Sequence, residues 1–246
     1  MIRSLLLSLL LALLPWSAWS AESNGDRSVK AIAFPKGKTE TVIEGRIKGR
    51  GYVDHTLRAS AGQTLSLQLN SSHRTIYFNL LPPDSSDAAM AIGEQSNNRF
   101  DGLLPDDGVY TVRVFLIRAA ARRNETGSYT LKVVTGGTAL KPIAASKDAL
   151  VAGTRFHAVA RVKCAPAYTQ TRECEAGVVR RGIDGTATVA LRWDQSGMRR
   201  ILFIKGEPKA ADVAQAMTYT RNERGWVVSF GADESVEIPE PLVFGG

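Results

Sequence analysis

Three arginines in one short stretch are the residues best placed to do chemistry in this chain. Arg118-Ala-Ala-Ala-Arg122-Arg123-Asn124 sets three guanidiniums within six positions, with only alanine between them. Arginine carries a planar donor fork that matches carboxylates and phosphates bidentately. If the alanines coil into one helical turn, Arg118 and Arg122 stand at i, i+4 and share a face. Two readings stay open at the level of residue chemistry: an anion-seeking probe, or a solvated charged loop.

The remaining reactive side chains are scattered. His55, His73 and His157 lie far apart, and His55 and His157 fall on alternating positions that suit packed or edge histidines better than a catalytic base. No GxSxG elbow, HExxH pair or glycine-rich phosphate loop occurs. Asp106-Asp107 and Asp233-Glu234 are adjacent carboxylates within turn sequences and read as turn formers. The expectation is a protein with no catalytic residues, no cofactor and no metal. Cys164 and Cys174, ten positions apart, lack the CxxC or clustered histidine of a metal site, and in an oxidising compartment they are expected to pair.

The elements that hold the arginines are strands. Tyr110, Val112, Val114 and Leu116 alternate with Thr111, Arg113, Phe115 and Ile117, and a second alternation begins at Tyr129, Leu131 and Val133. The simplest arrangement is a hairpin with a cationic tip, in which no apolar side chain is large enough to pull the segment into a core. Upstream, Val53 to Ala59, Leu65 to Leu69 and Ile76 to Leu80 alternate likewise, and Pro105-Asp106-Asp107-Gly108 makes a strong turn. Downstream, Phe156 to Lys163 alternates into Cys164, and Thr186 to Trp193 pairs with Met198 to Ile204 across a short turn. Trp226 to Phe230 and Val236 to Ile238 add strands, and Ala210 to Met217 has the composition of one short helix. The pattern predicts an all-β chain: an N-terminal β-sandwich or jelly roll over 22–135, a linker over 136–147, and a small antiparallel β-rich domain with one disulfide over 148–246.

Residues 1–20 read as a secretory signal: Arg3, an apolar run from Leu5 to Leu14, and Ala18-Trp19-Ser20 as a cleavage site. The run is shorter than the roughly 20 residues needed to cross a bilayer, so a periplasmic or secreted protein without an integral membrane segment is expected. The formal charge is +7, and 15 basic and 12 acidic residues fall in each half from Ala21 to Thr138 and from Ala139 to Gly246. So even a spread leaves no concentrated nucleic-acid footprint.

Three groups of residues in the first half carry a resemblance. They are Ile47-Lys48-Gly49 with Tyr52, Thr56-Leu57, Ala59 and Gly62-Gln63; then Leu104-Pro105, Gly108, Tyr110 and Arg113-Val114; then Arg118, Ala121-Arg122, Asn124, Thr126 and Tyr129. In this order, over roughly Val29 to Val134, they resemble the periplasmic inhibitors of goose-type (g-type) lysozyme. The RxxARxN tip after LPxxGxY is the most specific part. The resemblance implies a jelly-roll sandwich whose loop arginines, here Arg118 and Arg122, enter the substrate cleft of a lysozyme partner, with Tyr52 contacting it from a neighbouring loop. Ala119 and Ala120 stand where the family carries polar residues. The weaker AGQ and LPxxGxY elements are shared with pre-peptidase C-terminal sandwich modules, which implies an alternative: a non-catalytic cell-envelope module gripping glycan or lipid anions. The second half is similar to a C-terminal module of exported proteobacterial proteins through Phe156-His157-Ala158, Cys164, Cys174, Gly177-Val178-Val179-Arg180, Glu237-Ile238-Pro239 and Val243-Phe244-Gly245-Gly246, and no chemistry follows from it.

Overall fold

The computed structural model describes residues 27–167, 170–193 and 197–245. The signal expected over 1–20 lies outside them, as do residues 194–196 of the expected short turn.

Nine strands form the first unit: β1 (Arg27–Ala31), β2 (Glu40–Lys48), β3 (Tyr52–Ala59), β4 (Thr64–Ser71), β5 (Ile76–Leu81), β6 (Ala91–Ile92), β7 (Arg99–Leu103), β8 (Gly108–Leu116) and β9 (Thr126–Gly136). They make two layers, in the orders β1-β3-β8-β5-β6 and β2-β9-β4-β7. Strands β4, β5, β8 and β9 bury their alternate residues between the layers, as a two-fold side-chain period requires. Leu57, Phe78, Val112 and Val114 come from one sheet, and Ile47, Leu67, Leu131 and Val133 from the other.

The expected hairpin is not there. β8 pairs with β3 and β5, whereas β9 pairs with β2 and β4 in the opposite layer. Alternation fixes which face of a strand is buried and leaves its partner open. Both strands are central in their sheets, so the segment between them must cross from one layer to the other. It does so as a one-turn helix, α1 (Arg118–Arg122). Ala120 on that turn is fully buried in the sandwich core, contrary to the expectation that the tip contributes nothing there. A methyl group fits where a larger side chain would lift the helix away.

The second unit is one antiparallel sheet of eight strands: β10 (Ala158–Ala165), β11 (Arg172–Arg180), β12 (Ala187–Arg192), β13 (Met198–Ile204), β14 (Glu207–Ala211), β15 (Met217–Asn222), β16 (Gly225–Phe230) and β17 (Glu234–Pro239). Their order is β14-β13-β12-β11-β10-β17-β16-β15. Trp193, Phe203, Trp226 and Phe230 fill its core, and Cys164 and Cys174 are disulfide-bonded across β10 and β11. The helix expected over 210–217 is absent. Ala210 and Ala211 end β14 instead, and the buried Asp212 carboxylate accepts from the Arg200 backbone N–H at 2.7 Å and from its guanidinium at 3.0 Å, which overrides the local propensity. A helix does form where none was expected: α2 (Glu240–Phe244), started by Pro241. Its Phe244 stacks on Trp226 at 6.3 Å and lies over Gly185 and Gly206, where a Cβ would collide with the ring.

The two units meet at the turn between β7 and β8. Asp106, read from sequence as a turn former, is fully buried there. Its carboxylate accepts from Arg155 at 2.9 and 2.5 Å, from Arg181 at 3.2 Å and from Arg200 at 3.1 Å, all three from the second half of the chain. Asp107 accepts from Arg181 at 2.9 Å, and Thr188 donates to the Pro105 carbonyl at 2.8 Å. The connection is laid across both units: the Leu140 N–H bonds the Ala61 carbonyl, and the Ile143 N–H bonds that of Arg180. This contact sits at the N-terminal end of β8, and α1 follows its C-terminal end, so the two lie at opposite poles of the sandwich.

Candidate functional site

Helix α1 is held at both ends by its neighbours. The Ile117 N–H bonds the Thr75 carbonyl at 2.9 Å, and Asn124 stops the helix at φ +54°, a left-handed conformation that asparagine tolerates. The Gly49 N–H bonds the Glu125 carbonyl at 2.9 Å and ties the β2–β3 turn to the same pole. With Ala120 turned inward, Arg118 and Arg122 project together from the outward side of the turn, and both are exposed. Among the described residues neither guanidinium has an acidic partner. Arg123 differs, because it bonds Glu125 at 2.7 Å.

Tyr52 stands beside them as the first residue of β3, immediately after the β2–β3 turn. Arg118, Arg122 and Tyr52 line one open groove of about 720 Å³, which Arg50, Asn79, Arg113 and Phe115 also line. All three residues singled out from sequence therefore come together. No carboxylate lines the groove, so its potential is positive. Arg113 lies 4.5 Å above the centroid of the Tyr52 ring. It is fixed there by Asp54, which accepts from it at 2.7 and 3.1 Å, and this bond is the main cause that raises the Arg113 pKa above its ordinary value. Asp54 is buried and also accepts from Arg27 at 3.2 Å.

Sequence reasoning missed Asp54, Arg113, Phe115 and Asn79. A signal for two of them existed, since Arg113 and Phe115 occupy the outward half of the β8 alternation. The registers that place Asp54 and Asn79 on either side of Arg113 are not written in a single strand.

His55 and His157 are structural. His55 is buried with its Nε2 at 2.8 Å from the Tyr129 hydroxyl, and burial first and Lys30 second lower its pKa to about 4. Burial likewise raises the Tyr129 pKa to about 12. His157 takes the Arg180 backbone N–H on its Nδ1 at 3.0 Å. Among the described residues no group of three or more His, Cys, Asp or Glu is placed to hold a metal ion, and no helix is long and apolar enough to cross a membrane.

This groove sits in a chain that matches no protein-family model. Among curated proteins it is 32% identical over 127 residues to the inhibitor of g-type lysozyme from Escherichia coli (strain K12), a span of 51% of this chain and 90% of that protein. The chain belongs to the g-type lysozyme inhibitor family. Two solved structures of that family are similar to it. The periplasmic inhibitor PliG of Aeromonas hydrophila is 26% identical, with 45% of this chain and 98% of that chain covered and a TM-score of 0.43. A mutant of the Escherichia coli PliG is 26% identical, with 44% and 97% covered and a TM-score of 0.36. Relative to these inhibitors, about half of the present chain is additional.

Proposed function

We propose that this protein is a periplasmic, non-catalytic inhibitor of g-type lysozyme that sets Arg118 and Arg122 into the substrate cleft, with Tyr52 against the rim. The observation that carries the reading is the exposed, unpartnered Arg118–Arg122 pair beside Tyr52 in a member of this family. A lysozyme cleft holds a general-acid carboxyl and further acidic groups along a glycan path. A guanidinium fixed at the end of a strand forms charge-assisted hydrogen bonds there and blocks glycan entry, so no reaction of the inhibitor's own is needed. Residues 22–135 carry this activity, and residues 148–246 form a second unit joined through 136–147.

Position 120 explains part of how this chain departs from the family pattern. Ala120 points into the core, so a polar contact with lysozyme from that position is not available to it. The contact falls on the two arginines.

A lysis assay against g-type lysozyme tests this. Removing one partner of a charged pair in a water-excluded cleft costs about 2–5 kcal/mol, so Arg118→Ala should weaken inhibition about 30- to several-thousand-fold without changing the melting temperature. Arg118→Lys should recover part of it, because the charge remains and the fork is lost. Arg123→Ala should cost little, since its surface bond to Glu125 is worth about 1 kcal/mol or less. Equal losses at all three arginines would mean a diffuse basic patch and would remove the mechanism.

A further inference from the structure

We propose that the grip on lysozyme extends from α1 onto the outer face of the five-stranded sheet, with Phe115 and Tyr77 as its apolar anchors. The inference rests on the inhibitor reading and goes beyond the arginine tip.

The strand registers carry it. Tyr52 lies directly opposite Phe115, and Phe115 directly opposite Tyr77, so three aromatic side chains form one row across β3, β8 and β5. All three alternate with the buried Val53, Val114 and Phe78 and are only partly buried, Tyr52 and Phe115 also packing against the sandwich core. With strands about 4.8 Å apart the row spans about 10 Å. Its first two members, Tyr52 and Phe115, line the groove with Arg118 and Arg122, and the row continues from there to Tyr77 on β5, which makes the two surfaces continuous. The next row along the sheet is Asp54, Arg113 and Asn79.

This face is built in advance. Arg113 is clamped by Asp54 and in turn covers the Tyr52 ring, so Tyr52 has little freedom left to lose on binding. The same contact separates the candidate partners. A sugar ring stacks on an open aromatic face, and the guanidinium occupies one face of Tyr52. What remains is the partly exposed surface of Phe115 and Tyr77 flanked by arginines, the composition of a protein–protein hot spot. The occupant that fits is the rim of an acidic cleft on a folded lysozyme. It would offer carboxylates to Arg118 and Arg122 and apolar side chains to the aromatic row.

The test uses the full chain with Phe115→Thr and Tyr77→Thr, outward strand positions at which threonine keeps β-propensity. Dissociation constants for g-type lysozyme, melting temperatures, and binding of chitin oligosaccharides without lysozyme are measured together. Each substitution should weaken lysozyme binding about 5- to 30-fold, mainly through faster dissociation, with the melting point within about 2 °C of the parent. If Phe115→Thr lowers the melting point further, Tyr77→Thr on the flanking strand decides. Unchanged lysozyme binding by both variants, alongside a loss in Arg118→Ala, overturns this proposal and leaves the inhibitor reading standing. No binding of lysozyme by the parent overturns both. Chitin-oligosaccharide binding that the two substitutions abolish would make the face a glycan site and overturn the protein partner.

Discussion

Replacing Asp106 by Asn tests whether the two units form one cooperative structure. The carboxylate is buried and collects four hydrogen bonds from three arginines. An amide keeps the shape, loses the charge, and turns one acceptor into a donor that faces other donors. Arg155 is 45% exposed and can turn to water at small cost, whereas the side chains of Arg181 and Arg200 are 0% and 3% exposed and cannot. Arg181 retains Asp107 and the Leu140 carbonyl, and Arg200 retains Asp212 and Asp84, which softens the loss. Breaking one side of a buried ion pair typically costs about 3–5 kcal/mol, and the surviving partners place this case at ~3 kcal/mol. For a protein of this size each kcal/mol moves the midpoint by about 2–4 °C, so Asp106→Asn should melt about 6–12 °C below the parent. Calorimetry at pH 7 should also split the parent's single transition in two. Inhibition at 25 °C should be unchanged, because the arginine helix lies at the other pole. A midpoint lowered by less than about 2 °C with one transition would refute the reasoning, since the ion cluster would then contribute nothing to the coupling.

Two further outcomes are open to measurement. His55 is neutral in the fold with a pKa near 4, against 6.5 for a free imidazole, so its contribution is whole above pH 6.5. That contribution is lost as the pH falls from 6.5 towards 4, because the unfolded chain then binds a proton the fold excludes. His55→Gln, which can still bond Tyr129, should flatten the urea midpoint between pH 7.5 and 4.5, and a slope equal to the parent's would contradict the assignment. A fragment ending near Gly137 should fold and keep its inhibition, since its Asp106 meets water in place of the arginines; a folded but inactive fragment would place part of the site in the second unit.

The strands were legible because burial on one face imposes a two-residue period that composition cannot hide, as at Leu65, Leu67 and Leu69 or Val112 and Val114. The arginine turn was legible through its spacing. What stayed hidden was pairing across distance. Nothing in Tyr110 to Leu116 says that its neighbours are β3 and β5 and exclude β9, and nothing in Pro-Asp-Asp-Gly says that one aspartate is destined for three arginines. The short helix expected at 210–217 failed for the same reason, because the partner that captures Asp212 lies on β13. The α2 helix had a local sign in Pro241, but the ring of Phe244 that pins it rests on glycines 185 and 206, far back in the chain.

The ion cluster has a consequence for how the chain reaches its fold. The bonds from Asp106 to Arg155, Arg181 and Arg200 span 49, 75 and 94 residues. During vectorial synthesis or export, the sandwich can be complete while its future counter-ions have not yet emerged, so the carboxylate must wait in water. Assembly therefore closes with a late docking step, in which already folded surfaces give up the hydration of a carboxylate and three guanidiniums together. Salt screens charges while they approach through solvent, and much less once they are buried. Ionic strength should thus act on the slow phase of refolding and leave the fast, sandwich-forming phase untouched.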